Sequence, residues 1–140
     1  MPEESAAEAS KAVVRQYFEL LDRGREHPVS MCTDDFKFTV FGFPTIGLQE
    51  SIDFAKIFFD GIPDLTHPLE ELIAEGNTVA FRYRYEGTHT VELMGAPPTG
   101  NQILYYGIGF MRVVDGKVSE FIVSPDRVTL MQQIGLLPVT

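Results

Sequence analysis

The chain has 140 residues, 44% of them hydrophobic and 22% charged, a balance that suits one domain (1–140) able to bury its own core. Its net charge of −9 sets it against phosphate backbones and anionic membrane faces, so neither nucleic acid nor membrane is an expected partner. A single cysteine, Cys32, excludes an internal disulfide, no apolar run approaches the ~20 residues of a membrane span, and the acidic start MPEESAAEAS lacks the features of a signal peptide. Those features point to the cytoplasm.

The first predicted element is a helix with Ala12, Val13, Tyr17, Leu20 and Leu21 on one stripe, ended by Gly24. A short second helix is expected from about Pro28 to Thr33, with Asp34-Asp35 read as a turn. FKFTVFGF (36–43) alternates apolar and polar residues and predicts a strand, which Pro44 and Gly47 break. Leu48 to Phe59 fits a third helix, and Gly61, Pro63 and Asp64 a turn. Strands follow near 66–75, 77–93, 101–114 and 117–124. Glu75-Gly76-Asn77 and Asp115-Gly116 are tight-turn signals, and Ala96-Pro97-Pro98-Thr99-Gly100 is a longer turn. Ser124-Pro125-Asp126 opens a last helix, which Gly135 closes. The order defines an α+β class, with helices on one sheet face and the other face left to solvent or a second subunit.

The strings GTHTVELMGAPPTG (87–100), FMRVVDGKV (110–118) and PDRVTLMQQIGLLP (125–138) resemble the SnoaL-like polyketide cyclases. These belong to the nuclear transport factor 2-like superfamily, with ketosteroid isomerase and limonene epoxide hydrolase. The resemblance runs over nearly the whole chain. It implies a cone-shaped half-barrel of a strongly bent mixed or antiparallel sheet, covered by three N-terminal helices and a short C-terminal one. It also implies a pocket on the concave face, a homodimer through the outer face, and intramolecular aldol chemistry with neither metal nor organic cofactor. The aldol cyclases carry an acid/base Asp on the last strand and a His on the strand before it; the matching positions here are Val123 and Gly109. The base of the ketosteroid isomerases falls at about Val40, whereas their helix-1 Tyr has a counterpart in Tyr17.

Strand alternation sorts the remaining candidates. Phe81, Tyr83 and Tyr85 share one side, with Arg82 and Arg84 opposite, and an unbroken strand would carry His89 inward too. Tyr105, Gly107, Gly109 and Met111 form the next inward set, and Phe121 and Val123 the last. His89 is the leading candidate for acid/base work, because imidazole exchanges protons near neutrality, or else a rim histidine bonded to a loop carbonyl. Asp126 reads either as an acid or base at the pocket mouth or as the cap of the last helix. Tyr17, Phe38, Tyr83, Tyr85, Tyr105 and Phe121 are the expected substrate-binding set, the tyrosines as hydrogen-bond donors or as large fillers. His27 and His67, each beside a proline, are expected in solvent. The three histidines show no metal-ligand spacing, so neither metal nor cofactor is expected.

Two functions stay open: a cyclase or isomerase acting on a hydrophobic, polyketide-like or polycyclic small molecule, and a non-catalytic small-molecule binding protein of the same fold. Epoxide opening ranks below both, since the strands show no inward pair of carboxylates.

Overall fold

The computed structural model describes residues 2–139. Helix α1 (Pro2–Gly24) buries Val14, Tyr17, Phe18 and Leu21, at helical spacing, against the sheet. The buried stripe is thus turned from the expected one, for Ala12 is exposed and Val14 and Phe18 are core residues. The helix ends where Arg25 enters the left-handed region (φ 55°) and its N–H still reaches the Leu21 carbonyl at 2.9 Å.

The expected second helix is a single 3-10 turn, Val29–Met31. Strand β1 (Cys32–Val40) begins four residues earlier than its alternation suggests and ends three earlier than Phe43. It pairs in parallel with the last strand at Cys32 and again from Lys37, and between them a bulge absorbs Thr33, Asp34 and Asp35. That irregularity breaks the period-two pattern and hides the strand's start.

Helix α2 (Leu48–Gly61) opens with the Gly47 N–H donating to Glu50 Oε2 at 2.8 Å. Strands β2 (Leu69–Glu75), β3 (Thr78–Thr88), β4 (Gln102–Val114) and β5 (Lys117–Pro125) form an antiparallel run, and the five-stranded sheet has the order β1-β5-β4-β3-β2. Helix α3 (Arg127–Gln133) follows directly. The sheet is mixed and open, and the architecture is the expected α+β half-barrel, with one 3-10 turn in place of a helix.

Strand β3 stops at Thr88 instead of running to Leu93. There the chain turns away, held by His89 N–H to the Asn101 carbonyl (2.9 Å) and Gly100 N–H to the His89 carbonyl (2.8 Å). Within the loop, Leu93 bridges Ala96 across Met94 (φ 49°) and Gly95 (φ 82°), a turn with both central residues left-handed.

Strands β3 and β4, and β5 from Phe121 onward, alternate as their sequences suggest. Phe81, Tyr83, Tyr105, Met111, Phe121 and Val123 are buried, while Leu104, Tyr106, Ile108 and Phe110 stand exposed on the convex face. Arg84 turns outward to Glu70 and Glu86, both at 3.2 Å. Phe121 centres the aromatic core, with ring centroids of Phe38 at 5.0 Å, Phe81 at 5.4 Å, Tyr17 at 5.7 Å and Phe18 at 5.9 Å.

Two inward positions of β4 are glycine for steric reasons. A Cβ on Gly107 would stand 3.0 Å from the Tyr83 ring, and a Cβ on Gly109 would fall inside the Ile122 carbonyl of β5. The backbone of β5 approaches β4 closely there. Gly109→Ala is expected to cost about 3 kcal/mol of stability through overpacking against backbone. Urea denaturation measures it, and a loss below about 0.5 kcal/mol would contradict the close approach of β5.

Candidate functional site

Between the concave face and the helices lies a cavity of about 350 Å³, at the lower end of the ~300–1,000 Å³ that small-molecule sites occupy. Tyr17, Phe38, Tyr83, Tyr85, Tyr105 and Phe121, the whole sequence-predicted binding set, line it. At its rim stand the exposed side chains of Phe43, Ile57 and Met94, with the Arg127 guanidinium 4.8 Å from the centroid of the Phe43 ring. Arg127 is the one lining residue, among those described, with a permanent charge. Carboxylates do not appear among the described lining residues, and no described group of three or more His, Cys, Asp or Glu could hold a metal ion.

The tyrosines are wired to each other. Tyr83 and Tyr85, two apart on β3, join their hydroxyls in a short hydrogen bond. Tyr85 stacks on Tyr105 with centroids 4.2 Å apart and planes at 10°. Burial drives the Tyr17, Tyr83, Tyr85 and Tyr105 hydroxyls above their ordinary range, so all four stay protonated at neutral pH. Tyr83 is almost fully buried and Tyr85 partly so. The arrangement that uses both protons has Tyr83 donating to Tyr85 and Tyr85 donating into the cavity, polarised by its neighbour.

His27 and His67 overturn an expectation. The adjoining proline suggests solvent for each, yet both are buried and line the cavity. Each loop folds inward because its ring has polar partners waiting. His27 Nδ1 lies 3.2 Å from Tyr17 Oη, and its Nε2 lies 3.3 Å from Cys32 Sγ. The Cys32 thiol also donates to the Pro28 carbonyl at 3.6 Å. With that proton spent, His27 Nε2–H donates to sulfur and Nδ1 accepts from the Tyr17 hydroxyl. Burial lowers the His27 pKa from its ordinary 6.5 to about 4 and raises the Cys32 thiol to about 12, so both are neutral and the thiol is unreactive.

His67 meets Asp22 of α1. Its backbone N–H donates to Asp22 Oδ2 at 2.7 Å, and Nδ1 lies 2.7 Å from Oδ1. The ring packs among Phe18, Phe59, Tyr83 and Tyr85, with centroids 5.3 to 6.4 Å away. Arg25, from the same helix end, donates to the carbonyls of Leu65 (3.0 Å) and Ile62 (3.3 Å), and clamps the loop that presents His67. In sequence the two partners are 45 residues apart, and no local signal joins them.

His89 and Asp126 stand elsewhere; neither is among the residues lining the cavity. His89 is fully buried behind the 89–101 loop, where its Nδ1 accepts from the Thr99 N–H (3.2 Å) and hydroxyl (2.9 Å), and Nε2 is sealed without a partner among the described residues. Asp126 caps α3, accepting from the Thr129 N–H at 3.1 Å and hydroxyl at 2.6 Å. Val40 and Val123 contribute wall, and Gly109 has no side chain to offer.

An open mixed sheet wrapped around an apolar cavity defines an α+β half-barrel. The chain belongs to the SnoaL-like polyketide cyclase family, whose model matches residues 11–134. Among solved structures it is similar to one described as a SnoaL-like polyketide cyclase from Jannaschia sp. CCS1 (22% identity, 94% of this chain and 95% of that one, TM-score 0.81). AclR of Streptomyces galilaeus, described as a hydroxylase, shares 23% identity over 94% and 87% of the two chains, with a TM-score of 0.84. IdmH of Streptomyces antibioticus, described as a polyketide cyclase, shares 22% over 90% and 98%, with a TM-score of 0.79. At these identities the structures establish a common fold. No curated protein sequence matches the chain.

The depressed His27 sets a pH dependence. Between about pH 6.5 and 4 the unfolded chain binds a proton there that the folded one refuses, so stability is full above pH 6.5 and falls as pH drops towards 4. The loss amounts to roughly 3 kcal/mol at most. Urea denaturation of wild type and His27→Gln at pH 7 and pH 4.5 isolates it: the wild type is expected to lose more than the variant, and equal losses would place His27 in solvent.

Proposed function

We propose that the protein is a cofactor-independent cyclase or isomerase of hydrophobic, polyketide-like molecules, which it holds folded in the apolar cavity while a carbonyl passes through an enolate. One observation carries this: the Tyr83 and Tyr85 hydroxyls share one hydrogen bond in an apolar aromatic cavity, and with Tyr83 the more deeply buried, the Tyr85 proton is left for a ligand. A donor already aimed at a developing oxyanion is among the strongest contributions a site can make, and low-dielectric walls enlarge it. Confinement of a flexible chain brings its reacting carbons together. Tyr17, Phe38, Tyr105 and Phe121 complete the substrate-binding walls. The family and its named cyclase members support the same chemistry.

The experiment is incubation with a synthetic aryl poly-β-ketone, followed by mass spectrometry for the ring-closed, isomeric or dehydrated product. Tyr85→Phe is expected to lower kcat about a hundredfold with a smaller change in KM. Val123 and Gly109, at the positions where aldol cyclases keep their acid and base, favour the second reading, a carrier. Stoichiometric binding by calorimetry with no product would decide for it.

We also propose a homodimer through the convex face, where Leu104, Tyr106, Ile108 and Phe110 form an exposed apolar stripe along β4. Replacing Ile108 and Phe110 together by Glu is expected to give a monomer by sedimentation. A wild type that sediments as a monomer would remove the dimer.

A further inference from the structure

The cavity's walls are apolar, and enolate formation still needs a base. The hydrogen-bond chemistry of the His67–Asp22 pair fixes where a free lone pair stands. Asp22 Oδ2 is taken by the His67 backbone N–H, and Oδ1 faces Nδ1 at 2.7 Å. A carboxylate only accepts, so Nδ1 carries the ring hydrogen, and in the neutral imidazole Nε2 holds the lone pair. Nε2 has no hydrogen-bond partner among the described residues and is not one of the sealed polar atoms, while His67 itself lines the cavity. Its ring centroid is 5.3 Å from that of Tyr85 and 5.8 Å from that of Tyr83, so lone pair and polarised hydroxyl serve one region.

We infer that His67 is the catalytic base of this site and that Asp22 is its positioning residue; the inference rests on the enolate chemistry proposed above. Asp22 sits in the last turn of α1, where a negative charge faces the carbonyl end of the helix dipole, a disfavoured place for a residue with no task. It is held there by two hydrogen bonds to one residue, and Arg25, from the same helix end, holds the same loop through the Leu65 and Ile62 carbonyls. His89 differs: its Nδ1 is spent on Thr99 and its Nε2 is closed off from the cavity.

The step balances without a co-reactant. The Nε2 lone pair takes the proton of a C–H beside a carbonyl. The C–H electron pair becomes the enolate C=C, and the charge moves to oxygen, which accepts the Tyr85 hydrogen bond. The enolate carbon then bonds to a second carbonyl carbon of the same molecule, whose oxygen takes the proton back from Nε2. A neutral imidazole is a mild base, and efficient transfer needs a carbon acid of matched strength. That selects a C–H flanked by two carbonyls, a 1,3-dicarbonyl, over an isolated ketone.

The probe is 1-phenylbutane-1,3-dione in D2O, with exchange at C2 followed by NMR. Ring 15N shifts of labelled protein at pH 8 report the His67 tautomer. Wild type is expected to accelerate exchange and to show the Nδ1–H tautomer. His67→Gln is expected to lose at least a hundredfold of that acceleration. Asp22→Asn is isosteric; its carbonyl keeps the backbone N–H while its amide donates to Nδ1. It is expected to move the hydrogen to Nε2 and cut exchange at least tenfold with Tm preserved, a tautomer change that a purely structural role would not produce.

If His67→Gln, or a folded Asp22→Asn, exchanges as fast as wild type while ring closure of the aryl poly-β-ketone continues, the base assignment is overturned and the cyclase stands. Ring closure with no acceleration of exchange overturns it too. A wild-type His67 found with hydrogen on Nε2 overturns it whatever the protein turns over. A wild type that neither exchanges nor closes rings takes down the proposed function and this inference together.

Discussion

The cavity depends on the close approach of β5 to β4 at Gly109. No Cβ fits there without displacing the Ile122 carbonyl, and one turn of the pleat away Gly107 makes room for the rings of Tyr83 and Tyr85. This bend curls the sheet round Phe121 and turns the tyrosines of β3 and β4 towards the helices. It also bars any ionisable side chain from that part of the wall. The groups able to exchange protons enter from the opposite side, on α1 and on the loops flanking it.

Burial then decides what those groups can be. The tyrosine hydroxyls and the Cys32 thiol are pushed up and His27 is pushed down, each towards its neutral form. These groups therefore act as uncharged donors and acceptors, and the Asp22 carboxylate is occupied at both oxygens by His67. Arg127 brings charge only to the mouth.

Much of the fold was legible because alternation runs without a break along β3 and β4, and from Phe121 onward in β5, and with it the inward tyrosines and Phe121. The starts of β1 and of the 89–101 loop were not: a bulge at Thr33–Asp35 interrupts the period-two pattern ahead of Phe36, and a turn after Thr88 ends β3 while the local pattern continues. The end of β3 at Thr88 also stops the alternation that would carry His89 into the pocket. His67 was hidden by a different cause: its partner Asp22 comes from another element, and only the docking of α1 on β2 and β3 brings the two within 2.7 Å. A proline after His27 and after His67 restricts the backbone of each histidine and says nothing of where the rings turn.

The polar atoms of the cavity largely satisfy one another: Tyr83 with Tyr85, Tyr17 with His27, and His27 with Cys32. A water molecule needs two to four polar partners to settle in such a space, and here few are left. The interior is thus poorly hydrated before any ligand arrives. A guest gains dispersion contacts without first displacing a well-bonded solvent network, so its association will be driven by enthalpy at room temperature and will carry a negative heat-capacity change.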